Sequence, residues 1–200
     1  MTSYLVLLGI LVCFSAILAL ALNFQWGLGG MVNFGLTGFY ALGAYASALF
    51  MLKAGANSFF AVVGAMAVVA AVCAVVAFVT LRVTEEDYFA IGGGIIGLAG
   101  SMHGFYYQYI DPTQFSNIVL AYGFMAVIAG GRGAHGGAIF GAAAVMALLE
   151  GSRFLKDLVP ALDSDQLAAI RIIIIGVGLI LLLIYRPQGF MREYRLKVSP

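Results

Sequence analysis

Long stretches of this chain contain no Asp, Glu, Lys or Arg, and its charge is confined to short gaps between them. The hydrocarbon core of a bilayer is about 30 Å thick and is crossed by about 20 apolar helical residues. Several of the stretches reach that length. The whole chain has 10 Lys or Arg and 9 Asp or Glu among 200 residues, with 63% hydrophobic residues and a mean hydropathy of +1.04. A water-soluble domain carries charge on about a quarter of its residues. The expected fold is therefore all-α, a polytopic transmembrane helical bundle, and lipid is the solvent.

The segmentation follows from the gaps. Tyr4 to Leu22 is long enough to cross, and Asn23, Gln25 and Trp26 interrupt it, with Trp26 placed for a membrane interface. Gly27 to Leu52 reads as a second crossing, Ser58 to Leu81 as a third, Tyr88 to Tyr107 as a fourth and Leu167 to Tyr185 as the last, with Arg171 near its start. Phe115 to Ala129 and Gly136 to Leu149 are shorter, in the range of half-helices or re-entrant elements. The expectation is five full crossings plus two short, Gly-interrupted segments, about seven in all, in one domain over 1–200 that ends in a basic tail, 186–200. Ala19-Leu20-Ala21 resembles a signal-peptidase site, but no Lys or Arg precedes the first run, which is read as a retained helix. Arg186, Arg192, Arg195 and Lys197 put the tail in the cytoplasm by the positive-inside rule. Arg82 to Asp87 and the Arg132 loop then fall on the same side, whereas Lys53, the N-terminus and the loop Glu150 to Gln166 fall outside.

Glycine is abundant, 26 residues against 4 Pro. Gly93, Gly97, Gly100 and Gly104 recur at helical spacing on one face, Gly137 and Gly141 repeat the spacing, and Gly43 does so with Ser47. Such faces let membrane helices approach closely. The stretch Gly130-Gly131-Arg132-Gly133 separates the two short segments and reads as a helix break or gate. A break of this kind is tolerated in lipid only where it is buried or lines a wet cavity, and it is a common location for a transporter's site. The stretch has the glycine density of a phosphate-binding loop but lacks the Gly-Lys-Ser/Thr end.

Gln25, Asn33, Tyr40 and Tyr45 are the polar groups of the second segment. They suit either interhelical hydrogen bonds or the lining of a polar solute path. His103 and His135 have no ligand partner three or four residues away, and Cys13 and Cys73 sit inside apolar runs. No metal site, cofactor or catalytic group is expected. No carboxylate lies deep in an apolar run, so energy for coupled transport would come from elsewhere. A net charge of +1 gives no argument for a nucleic-acid partner.

Three stretches together resemble one family. They are Leu22-Asn23-Phe24-Gln25-Trp26-Gly27-Leu28-Gly29-Gly30-Met31-Val32-Asn33-Phe34-Gly35, continuing to Gly43-Ala44-Tyr45; Gly130-Gly131-Arg132-Gly133-Ala134-His135-Gly136-Gly137-Ala138-Ile139-Phe140-Gly141-Ala142; and Tyr185-Arg186-Pro187-Gln188-Gly189. Ile96-Gly97-Leu98-Ala99-Gly100 fits as well. The chain resembles the LivM-like inner-membrane permeases of branched-chain amino acid ABC importers. That resemblance implies a second, homologous permease subunit, cytoplasmic ATPase subunits and an external solute-binding protein as partners, with ATP hydrolysed on the partner chains. It also implies a bacterial inner-membrane location. One departure stands out. After the stretch like Asp87-Tyr88-Phe89-Ala90-Ile91, family members carry more apolar sequence and a loop that docks on the ATPase. Here Ile91 runs straight into Gly92-Gly93-Gly94, as if two half-segments were joined into one crossing. The resemblance thus implies a permease subunit for branched-chain amino acids or a related small polar solute. A membrane scaffold without transport competence is the alternative from another class, and a self-contained carrier or channel is a third.

Overall fold

The structure, a computed structural model, describes residues 2–81, 86–151, 164–185 and 189–191. Every regular element among the described residues is helical. Helix α1 (Thr2–Leu22) continues into a π-helical turn (Asn23–Leu28), and a stretch without regular structure leads to α2 (Leu36–Ala54). Helices α3 (Ser58–Leu81) and α4 (Glu86–Tyr107) follow. A 3-10 turn (Pro112–Gln114) then introduces α5 (Asn117–Gly130), and α6 (His135–Gly151) and α7 (Ser164–Tyr185) complete the bundle. At 1.5 Å per residue, the 24 residues of α3 cover about 36 Å, enough to cross, whereas the 14 of α5 cover about 21 Å.

By length and apolarity together, three stretches among the described residues qualify as membrane spans: Tyr4–Leu28, Ser58–Val79 and Pro112–Gly130. His135–Gly151 is apolar but shorter. Three boundaries differ from expectation. Asn23, Gln25 and Trp26 do not interrupt the first run, because Asn23 and Gln25 satisfy their amides against other parts of the protein and the helix continues to Leu28. The helix within Gly27 to Leu52 starts only at Leu36, later than the stretch itself. Glu150, expected to open a polar loop, lies buried in the last turn of α6. Part of the charged gap at Arg82 to Asp87 (82–85) lies outside the described residues. So do 152–163 of the polar loop and 186–188 and 192–200, with Arg186, Arg192, Arg195 and Lys197.

Local chemistry ends and starts the helices. Gly55 adopts a left-handed φ of +63° that closes α2, with the N–H of Gly55 donating to the Phe50 carbonyl. Two residues on, the Asn57 side chain accepts from the Phe60 N–H at 3.1 Å and opens α3. The link is so short that α2 and α3 pack as antiparallel neighbours. The Asp111 carboxylate accepts from the Thr113 N–H at 2.9 Å, and Pro112 takes the first position of the 3-10 turn.

The bundle has two distinct ends. At one end, Tyr4 at the start of α1 donates from its hydroxyl to the backbone oxygen of Glu150 at the end of α6, 3.0 Å away. At the other, the π turn after α1 meets the start of α4 and the α5–α6 break. Helix α1 is central and packs on α4, α5 and α6, while α3 packs on α2 and α4 at the periphery. The main core joins Leu18, Leu22, Leu36, Ile96 and Val127 from four helices. Helix α3 leaves Phe59, Phe60, Val75, Phe78 and Val79 exposed, a surface suited to lipid tails.

Candidate functional site

At the end of the bundle where α1 finishes, a buried polar node holds the non-helical backbone together. Asn23 is fully buried. Its Oδ1 accepts from the Gly133 N–H at 2.8 Å, and its Nδ2 lies 3.3 Å from His135 Nδ1. One side chain thereby satisfies backbone that the break between α5 and α6 sets free, which apolar surroundings require. Gln25, also fully buried, donates from Nε2 to the Phe89 carbonyl at 3.1 Å and accepts at Oε1 from Asn33 Nδ2 at 2.9 Å. Asn33 in turn accepts at Oδ1 from the Gly35 N–H at 2.9 Å. This relay ties the π turn, the stretch before α2 and the first turns of α4 into one unit. Around it, the Arg132 guanidinium lies 5.2 Å from the centre of the Trp26 ring, and Phe24 stacks on His135 at 4.8 Å.

The segment 189–191 folds onto the same place. The N–H groups of Phe190 and Met191 donate to the carbonyls of Ala129 and Gly130, both at 2.9 Å, capping the last turn of α5. Gly189 has a φ of +71° and lies against the backbone of Gly131. Asn23 of the first stretch that carries the family resemblance, Gly131 and Gly133 of the second and Gly189 of the third thus meet at one end of the fold.

The glycines of the small-residue faces occupy close backbone crossings. A Cβ on Gly43 would lie 2.6 Å from the carbonyl oxygen of Gly97, so α2 and α4 touch there main chain to main chain. Ser101 Oγ bonds across the same crossing, donating to the Gly97 carbonyl at 2.7 Å and lying 3.3 Å from the Gly43 carbonyl. Gly97 also faces Met66 and Val69 of α3, Gly93 faces Cys73, and Gly100 lies against the Tyr40 carbonyl. Gly104 has ordinary contact with Ala44. Gly130 lies against Gly137, and Gly141 against Ala126, along the α5–α6 hairpin.

Two concavities lie away from the node. One, of about 280 Å³, is enclosed by five helices. Helix α1 contributes Leu11, Phe14, Ser15 and Leu18, and α2 contributes Tyr40. The remaining wall is His103 and Tyr107 of α4, Val119 and Tyr122 of α5, and Met146 of α6. His103 is held in place by a 3.2 Å hydrogen bond to Gln114 Oε1 and by the Tyr40 ring at 5.4 Å. The second, of about 600 Å³, is a groove between α2 and α4 that includes Tyr45, Met51, Leu52 and Tyr109.

The four polar residues singled out for a solute path therefore do not converge. Gln25 and Asn33 bond to each other in the node, Tyr40 faces the five-helix cavity, and Tyr45 is exposed in the outer groove. Of the break, Gly130, Gly131 and Gly133 are buried, and Arg132 is exposed beside Trp26. Asn23 and Ser15 were missed by the sequence as functional candidates. Asn23 carried a signal, an amide beside Gln25 at the end of an uncharged run, but its partner is 110 residues away. Ser15, one hydroxyl inside an apolar helix, carried none.

Comparison with known proteins adds one finding. Residues 4–92 match the family model described as branched-chain amino acid transport system / permease component. The match takes in the first of the three motif stretches and stops at Gly92, where Ile91 meets the triple glycine. Helix α4 runs unbroken through that junction. No curated protein and no solved structure matches the chain.

Proposed function

We propose that this chain, whose residues 4–92 match the family model described as branched-chain amino acid transport system / permease component, is a membrane-spanning subunit of an ABC importer for branched-chain amino acids or a related small polar solute. The family match is the observation that carries this reading. An apolar bundle built round a buried, hydrogen-bonded helix break supports it. The chain supplies the path, and ATP is bound and hydrolysed on separate cytoplasmic subunits. A second permease and an external solute-binding protein complete the assembly. Arg132 lies at the node end of the fold, Arg82 follows α3 in sequence, and Arg186, Arg192, Arg195 and Lys197 follow α7; the positive-inside rule reads this side as cytoplasmic. The setting is then the bacterial inner membrane, with the C-terminus inside.

The test is reconstitution of the chain in proteoliposomes with its ATPase partners, second permease and binding protein. ATP-dependent uptake of leucine, isoleucine or valine is the expected result. A stable complex that shows neither uptake nor solute-stimulated ATPase activity would overturn it in favour of a scaffold. The unbroken course of α4 across Ile91–Gly92 supports that second reading.

A further inference from the structure

The importer reading leaves the solute undefined between aliphatic amino acids and small polar molecules such as urea or short amides. The five-helix cavity bears on that choice. Its volume, about 280 Å³, falls just below the range for ligand pockets that hold a drug-sized molecule, about 300–1,000 Å³. Among the described residues, no Asp, Glu, Lys or Arg lines it. Half of its lining residues are wholly apolar: Leu11, Phe14, Leu18, Val119 and Met146. The hydroxyls of Ser15, Tyr40, Tyr107 and Tyr122 and the His103 ring are the polar groups. A zwitterion buried whole against this wall would leave both charges without a counter-charge, which is costly. An aliphatic group buried there meets no such obstacle.

The cavity also has a direction. Tyr107, exposed in the last turn of α4, stands at its edge on the Tyr4–Glu150 end. One helical turn the other way along each wall, Leu18 gives way to Leu22, Tyr40 to Leu36 and His103 to Ala99, all with no exposed surface. The cavity is thus closed by packed side chains on the node side, and its one exposed lining residue, Tyr107, stands at the opposite end.

We propose that this cavity, enclosed by α1, α2, α4, α5 and α6, is the subsite that receives the aliphatic side chain of the solute, with the solute's charged amino and carboxyl groups left at the Tyr107 mouth. The proposal rests on the importer reading for the identity of the solute. The cavity selects by apolar bulk, so leucine and isoleucine fit it, while glycine, glutamate and urea lack what it recognises.

A thiol probe inside the cavity tests this on the full chain in lipid nanodiscs, without partner subunits. Ser15→Cys and, separately, Met146→Cys are made in a background with Cys13→Ser and Cys73→Ser, and the rate of modification by a small methanethiosulfonate reagent is followed. Tyr45→Cys, in the outer groove, is the control. Saturating leucine is expected to slow modification at both cavity positions but not at Tyr45→Cys. Glycine should need a concentration higher by at least about tenfold for the same effect, since it lacks the buried methyl and methylene groups. Monodisperse elution of each variant establishes that it has folded, and the two cavity probes stand independently. Equal protection by leucine, glycine and urea, or none by leucine at either cavity position, overturns the subsite. Because uptake is not the readout, a failed subsite is distinguishable from a failed importer: ATP-dependent leucine uptake by the full assembly with no protection here refutes the cavity alone.

Discussion

Replacing Gly43 by alanine adds one carbon where the α2–α4 crossing has no room for it. The added Cβ would stand 2.6 Å from the Gly97 carbonyl oxygen and 2.8 Å from the Gly97 Cα. Ordinary contact begins at 3.4 Å, so the helices must separate by at least 0.8 Å at this point, the difference between 3.4 and 2.6. Both contacts are with main chain, which cannot rotate away as a side chain can. The shift also lengthens the Ser101 Oγ contact to the Gly43 carbonyl, already 3.3 Å. Overpacking of this kind costs about 1–3 kcal/mol. Alanine raises helix propensity by about 0.5–1 kcal/mol over glycine and would mask part of that cost. Gly9→Ala removes the ambiguity, because Gly9 lies inside α1 with nothing within 4 Å of its would-be Cβ. Both variants gain the same propensity term, so their difference isolates the packing term. Unfolding in mixed micelles by titration with SDS should show Gly43→Ala less stable than Gly9→Ala by about 1–3 kcal/mol. Equal midpoints would refute the argument that main-chain contact at Gly43 and Gly97 sets the α2–α4 distance.

Other consequences can be checked separately. Asn23→Leu leaves the Gly133 N–H buried without its acceptor, a cost of about 1–3 kcal/mol, and hydrogen exchange should accelerate at the Gly133 amide while α3 amides are unchanged. A double-mutant cycle with Gln25→Leu and Asn33→Leu should give a coupling of about 0.6–1.7 kcal/mol; zero coupling would mean the 2.9 Å contact between them does not stabilise the node. The hydrogen bonds that Asp111 accepts from Thr113, backbone first and then side chain, hold its carboxyl below the ordinary carboxylate range. With the folded value depressed, whatever these bonds contribute is present above the unfolded value of about 3.9 and is lost as pH falls through the folded one. A carbon-13 titration of Asp111 should therefore show a midpoint below that of an unstructured peptide, and Thr113→Ala should raise it.

Much of the fold was legible because lipid imposes a length rule. A charge-free run long enough to cross reads as a helix, and α1, α3, α4 and α7 sit where the runs are. The rule fails inside Gly27 to Leu52, where no charge marks the change from π turn to irregular backbone to helix. Gly29 to Gly35 is as free of charge as a crossing, and charge counts side chains and not the hydrogen bonds of the main chain. What makes that stretch viable is the pairing of Asn33 with Gln25 and of Gln25 with Phe89. Small-residue periodicity showed which glycines share a face but not which face each one meets: Gly97 is wedged between α2 and α3. The cavity was least visible. Its wall takes one to four residues from each of five helices, and a single Ser or Tyr in an apolar run looks like any other.

The two backbone bonds from Phe190 and Met191 to the end of α5 have a mechanical consequence. The chain leaving α7 is buckled to the hairpin turn, which is in turn pinned to α1 through Gly133 and Asn23. A pull on residues 190–191 is delivered to Ala129 and Gly130 as well as to α7, so this short segment straps the end of α5.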